Sequence, residues 1–107
     1  WCNAFLGRMT TGEVARLRAD TVFLSMSAID GDVVLHQFAE VVDVKRAMFD
    51  AAARRVLLTD HSKFGRRALH AMARIDEFDV VITDQGTPIE IREAITAQGV
   101  EVIVAPL

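Results

Sequence analysis

Apolar residues along this chain recur with two different rhythms. Across Glu40–Arg55, Val41, Val44, Met48 and Ala52 repeat at intervals of three and four, which predicts a helix with one face buried. Asp50 lies four residues before Arg54, the spacing of a surface ion pair on such a helix. Val14 and Leu17 in "GEVARLRAD" carry the same spacing and predict an earlier helix. Short apolar runs rich in β-branched and aromatic residues predict strands at "TVFLSMSAI", "RVLLTD", "DVVITD" and "VEVIVA". The near-continuous apolar character of "RVLLTD" and "DVVITD" is that of strands covered on both faces.

The remaining segments follow from local chemistry. Asp30-Gly31-Asp32 is a turn, and "VVLHQF" after it is a short edge strand. "KFGRRALHAMARI" predicts a helix with Leu69 and Met72 facing inward. Thr87 is placed to cap a helix that Pro88 begins, with Glu90 at capping-box spacing; that helix runs to about Gln98, where Gly99 stops it. Pro106 ends the last strand. The order strand, helix, strand, helix, strand, helix, strand predicts an α/β domain of three layers, a mainly parallel sheet flanked by helices. Ligands of such sheets collect beyond the carboxyl ends of the strands, here Ser25–Asp30, Thr59–Lys63, Thr83–Gln85 and Ala105–Leu107.

Composition narrows the functional classes. The 107 residues are one domain's worth, and 51% hydrophobic with 25% charged residues is ordinary for a folded globular chain. The net charge of -3, from 12 basic and 15 acidic side chains, disfavours nucleic-acid binding within these residues. No apolar run approaches the roughly 18–20 residues of a membrane span. Cys2 is the only cysteine, which excludes an internal disulfide and fits a cytoplasmic location. The chain opens on Trp1, so the expectation is a piece of a longer protein.

The segment "TDHSKFG" is the strongest candidate for chemistry. Asp60 ends a strand, Ser62 can cap the next helix, and free amides of Lys63, Phe64 and Gly65 would converge with the Lys63 ammonium on one spot suited to an anion. A phosphorylated sugar or polyol would use both the positive pole and the Asp60 carboxylate. The alternative is that Ser62 only caps, Asp60 ties down the turn and Lys63 is solvated. Lys45 and Arg46 would add positive charge if their helix faces the same rim, although such pairs are more often a solvated face. His36, His61 and His70 have no metal-ligand spacing, so no metal or other cofactor is expected, and no nucleophile-elbow motif accompanies Ser27 or Ser62. Asp60 and Asp84 end successive strands and form a conceivable acid–base pair, though strand-end aspartates more often cap or bind ligands.

Taken together, "VKRAMFDAA", "VLLTDHSKFG" and "DVVITDQG" resemble the C-terminal sensor domain of the DeoR family of bacterial transcriptional repressors, over about residues 13–104. The resemblance implies a fold related to sugar-phosphate isomerases that binds a phosphorylated effector and has no catalytic duty. Asp60, Ser62 and Lys63 match the family's strand-end motif, and Lys45 matches the lysine of its preceding helix. These four residues are the effector-binding candidates. The resemblance also implies that a phosphate loop and a DNA-binding helix-turn-helix lie upstream of Trp1 and that DNA is bound only through that part; the unpaired sheet edge and apolar faces then left predict cover by another copy of the chain, as a homo-oligomer, or by the missing sequence. "FLSMSAIDGDVVLHQF" departs from the family, which usually has Gly-Ala-Asp-Gly-Ile after the strand and Gly-Leu-Thr-Thr further on; Ser25, Ser27, Ala28, Val33, Leu35 and His36 occupy about those places. The rival readings are an isomerase-type enzyme using Asp60 or Asp84, and an oligomerisation domain without a ligand.

Overall fold

The computed structural model describes residues 19–106. Among the described residues, seven strands, β1 (Ala19–Ser25), β2 (Ala28–Asp30), β3 (Val33–His36), β4 (Ala52–Leu58), β5 (His70–Arg74), β6 (Val80–Asp84) and β7 (Glu101–Ala105), are joined with two α-helices, α1 (Ala39–Ala51) and α2 (Ile89–Ala97). Single 3-10 turns occupy His61–Lys63 and Ile75–Glu77. β1, β4, β6 and β7 form a four-stranded parallel sheet in that order, and β2, β3 and β5 form a second, antiparallel sheet. The expected α/β class with a mainly parallel sheet is therefore present, with an antiparallel sheet added.

The core lies where α1 closes on both sheets. Phe49, Leu57, Val81, Ile29, Val34 and Ile75 are fully buried together. Phe49 packs edge-on against Phe78 at 5.0 Å, and the guanidinium groups of Arg55 and Arg46 lie 4.0 and 4.8 Å from its ring centre.

Several expectations are corrected here. The helix expected to run to Arg55 stops at Ala51, and Ala52–Leu58 is strand, although "AAA" contains no stop signal. Six residues of β4 gain parallel partners on β1, beginning at Ala19↔Ala52, and this pairing overrides the helix propensity of alanine. The Asp50–Arg54 pair consequently does not form; Asp50 pairs with Arg46 at 3.2 Å, and Arg54 faces Glu101. "TVFLSMSAI" is two strands, and "VVLHQF" supplies the middle strand of the antiparallel sheet, not an edge.

The largest correction is "KFGRRALHAMARI", which is a 3-10 turn, a loop and β5 in place of a helix. The register on β3 shifts from Val34↔Ala73 to Leu35↔Ala71, leaving Met72 as a bulge. Met72 and Ala73 are then both buried in succession, which erases the alternation that marks a strand. Leu69, expected inside, is 82% exposed. Thr87 does not cap α2: its hydroxyl is buried against that of Thr83 at 2.6 Å, and Pro88 precedes the helix without a side-chain cap. Of the helix expected at "GEVARLRAD", residues 12–18 lie outside the described residues, and Ala19 and Asp20 belong to β1.

Candidate functional site

A cavity of about 580 Å³ opens where the end of β1, the link to β2, the end of β3, α1 and the His61–Lys63 turn meet. Its apolar wall comes from Leu24, Met26, Val41 and Val44, and its polar groups are Ser25, Ser27, His36, Lys45 and Lys63. Two ammonium groups thus share one concave space in which the described lining residues include no carboxylate, the electrostatics of an anion site.

Each polar group is positioned by local structure. The β1 register leaves Ser25 as the last paired residue, opposite Leu58, so its carbonyl reaches the cavity rim. Lys45 stands one turn beyond Val41 and beside Val44 on the buried face of α1, and its Nζ donates to the Ser25 carbonyl. Arg46 points elsewhere: it bonds the Met72 carbonyl at 3.1 Å and Glu77 at 3.2 Å, so it fastens α1 to β5 instead of serving the cavity. That contact, after the stronger bond from the Arg74 amide, holds the Glu77 carboxyl below its ordinary range. Of the neighbouring basic pair, only Lys45 faces the site.

The turn carrying Lys63 is built by its aspartate. Asp60 accepts from the Ser62 amide at 2.8 Å and from the Ser62 hydroxyl, and these bonds hold its carboxyl below the ordinary carboxylate range. Asp60 and Ser62 therefore shape the turn and do not line the cavity, whereas Lys63 does. The expected cluster of free amides is corrected as well: Lys63 donates to Asp60, Phe64 to His61, and Gly65 to Ile29 at 2.8 Å. Gly65, at φ 83°, takes the left-handed conformation that lets the chain leave the turn toward β2. The anion-binding potential of this segment rests on the lysine charge, not on backbone amides.

Asp84 has a partner that sequence reasoning did not find. The imidazole Nδ1 of His61 lies 2.8 Å from Asp84 Oδ2, and the His61 amide donates to Oδ1 at 3.1 Å. The parallel register Leu58↔Ile82 sets Asp60 level with Asp84 and His61 one step further, which is the signal a register-based reading would have used. Gly86 permits the approach, because a Cβ there would stand 2.5 Å from His61 Nδ1. The hydrogen bond to Asp84, followed by its charge, raises the His61 pKa above 6.5, and the reciprocal bond lowers that of Asp84.

The sign of the linkage follows. His61 contributes stability that is complete below its unfolded value and fades as pH rises through its higher folded value; Asp84 contributes above its unfolded value and fades as pH falls through its lower folded one. The pair is strongest between about pH 4 and 6.5, the ordinary values of the two groups. NMR titration should find His61 above its ordinary value, and both Asp84→Asn and Gly86→Ala should bring it down; a titration that neither substitution moves would contradict this geometry.

The chain matches the family description "DeoR C terminal sensor domain" over residues 1–85. It is 34% identical to the glycerol-3-phosphate regulon repressor of Escherichia coli over 95 residues, 88% of this chain and 38% of that protein. It is 33% identical to a putative aga operon transcriptional repressor of the same species over 94% of this chain and 38% of that protein. It is also 33% identical to the transcriptional repressor AccR of Agrobacterium fabrum over 79% of this chain and 34% of that protein. The chain thus spans about two-fifths of the length of these relatives. The matched residues include Lys45 and Lys63 of the cavity, and the chain belongs to the DeoR C-terminal sensor domain family.

Proposed function

We propose that this chain is the ligand-sensing part of a bacterial DNA-binding transcriptional repressor, and that its cavity holds a phosphorylated sugar or related polyol phosphate. The observation that carries the reading is the pair Lys45 and Lys63 converging on one cavity whose other polar groups, Ser25, Ser27 and His36, suit hydroxyl and phosphate oxygens. Asp60 and Ser62, the other two candidates, act by holding the turn that presents Lys63. A ligand gripped by Lys45 on α1 and Lys63 on the turn bridges two elements, so its affinity differs between conformations that bring them together and conformations that do not. That differential binding is what changes DNA affinity in a segment outside this chain.

Binding, in place of catalysis, is supported by the two strand-end carboxylates: Asp60 is occupied by Ser62 and Asp84 by His61, and neither lines the cavity. A cytoplasmic homo-oligomer is part of the same proposal; among the described residues no helix is long and apolar enough to cross a membrane, and the parallel sheet ends in β1 and β7, where Phe23 and Ile103 are exposed. Fluorescence anisotropy of the complete protein on the DNA upstream of its own gene tests the sensor reading. Phosphorylated sugars and polyols, sn-glycerol 3-phosphate first among them, should include one that lowers DNA affinity; a panel in which none does so would overturn it.

A further inference from the structure

His36 sits at the end of β3 with its ring lining the cavity. Its Nδ1 accepts from the Phe38 amide at 3.2 Å, which fixes the turn into α1 and assigns the ring proton to Nε2. Nε2 has no partner among the described residues. We infer that His36 is a specificity-determining contact of this site, its Nε2–H donating to an oxygen of a tetrahedral dianion held by the charges of Lys45 and Lys63. The inference rests on the reading of the cavity as an anion site and adds to it a residue and a selectivity.

The consequence is proton-coupled binding. Among the described residues, the titratable groups around His36 are Lys45 on α1, Lys63 on the turn and His70, its cross-strand neighbour on β5. Burial, and then the Lys45 charge, push the empty-site imidazole below its ordinary value. A bound dianion reverses the local field and favours the imidazolium, so the occupied site takes up a proton and affinity rises as pH falls. A phosphate or sulfate oxygen gains from this third positive partner, whereas a neutral sugar gains nothing.

The two ring nitrogens can be tested separately in the complete protein, with sulfate as probe at constant ionic strength, because sulfate keeps its charge between pH 5.5 and 8. Wild-type affinity should rise about tenfold from pH 8 to 5.5, the equivalent of one pKa unit, and sulfate should move the His36 resonance to higher titration pH. His36→Asn keeps an acceptor near the Nδ1 position for the Phe38 amide and loses the Nε2 donor; it should flatten the pH dependence and bind less tightly at low pH. His36→Gln keeps a neutral donor near Nε2 and should retain the pH 8 affinity without the gain. Sulfate binding that is sensitive to Lys63→Ala but equal at both pH values, or unaffected by His36→Asn, overturns the role of His36 alone. Sulfate binding that is absent or indifferent to Lys63→Ala overturns the anion cavity and the inference with it.

Discussion

Phe49→Ala is expected to cost the domain about 3–5 kcal/mol, the range for truncating a buried phenylalanine. The ring is fully buried, meets Phe78 edge-on, and has the Arg46 and Arg55 guanidinium groups 4.8 and 4.0 Å from its centre. Truncation leaves a cavity at the point where α1, β4 and the segment before β6 converge, and it strips both cations of their aromatic face. Arg55 also bonds the Phe49 carbonyl at 2.9 Å, a contact that survives the substitution, so the loss reports packing and not the backbone link. Phe49→Leu, which keeps most of the apolar volume, should lose only about 1–1.5 kcal/mol. Urea unfolding with unchanged slopes measures both. A loss below about 1 kcal/mol for Phe49→Ala would mean that α1 is not anchored at this ring.

Lys63→Ala should leave stability within about 0.5 kcal/mol, as for a surface substitution, yet weaken a phosphorylated effector by about 1.5–3 kcal/mol, the worth of a charge-assisted hydrogen bond. Lys45→Ala should weaken the same ligand and, unlike Lys63→Ala, also loosen α1 from β1, because Lys45 bonds the Ser25 carbonyl. Calorimetric titration beside thermal melts separates the two effects. An unchanged affinity in Lys63→Ala would reduce that residue to a solvated lysine on a turn.

These expectations depend on features that were unequally legible in the sequence. The strands "RVLLTD" and "DVVITD" declare themselves through uninterrupted apolar runs because both their faces are covered, and α2 with β7 follows from the Pro88 start and the Gly99 stop. The junction of α1 with β4 is invisible locally: Ala51, Ala52 and Ala53 favour helix, and only pairing with β1 makes Ala52 a strand residue. β5 is hidden by the Met72 bulge, which places two core residues in sequence and imitates helical spacing.

The same division runs through the site. Lys45 and Lys63 could be named from motifs, and the structure brings both to one cavity. In sequence alone, the strand-end carboxylate of Asp60 and the hydroxyl of Ser62 look alike whether they face a ligand or each other; here they face each other. His61–Asp84 depends on the register of two parallel strands and on the missing side chain of Gly86, neither of which motif spacing encodes. Ser25, Ser27 and His36, which depart from the pattern that the resemblance implies, line the cavity.

The central claim is that Lys45 and Lys63 form one anion-selective site for a phosphorylated metabolite. Isothermal calorimetry of the complete protein with matched pairs of phosphorylated and unphosphorylated sugars and polyols addresses it most directly. The account predicts that at least one phosphorylated member binds, that its unphosphorylated counterpart does not, and that Lys63→Ala weakens the former roughly ten- to hundredfold. Equal binding of both members of a pair, or phosphate-dependent binding indifferent to both lysines, would contradict it.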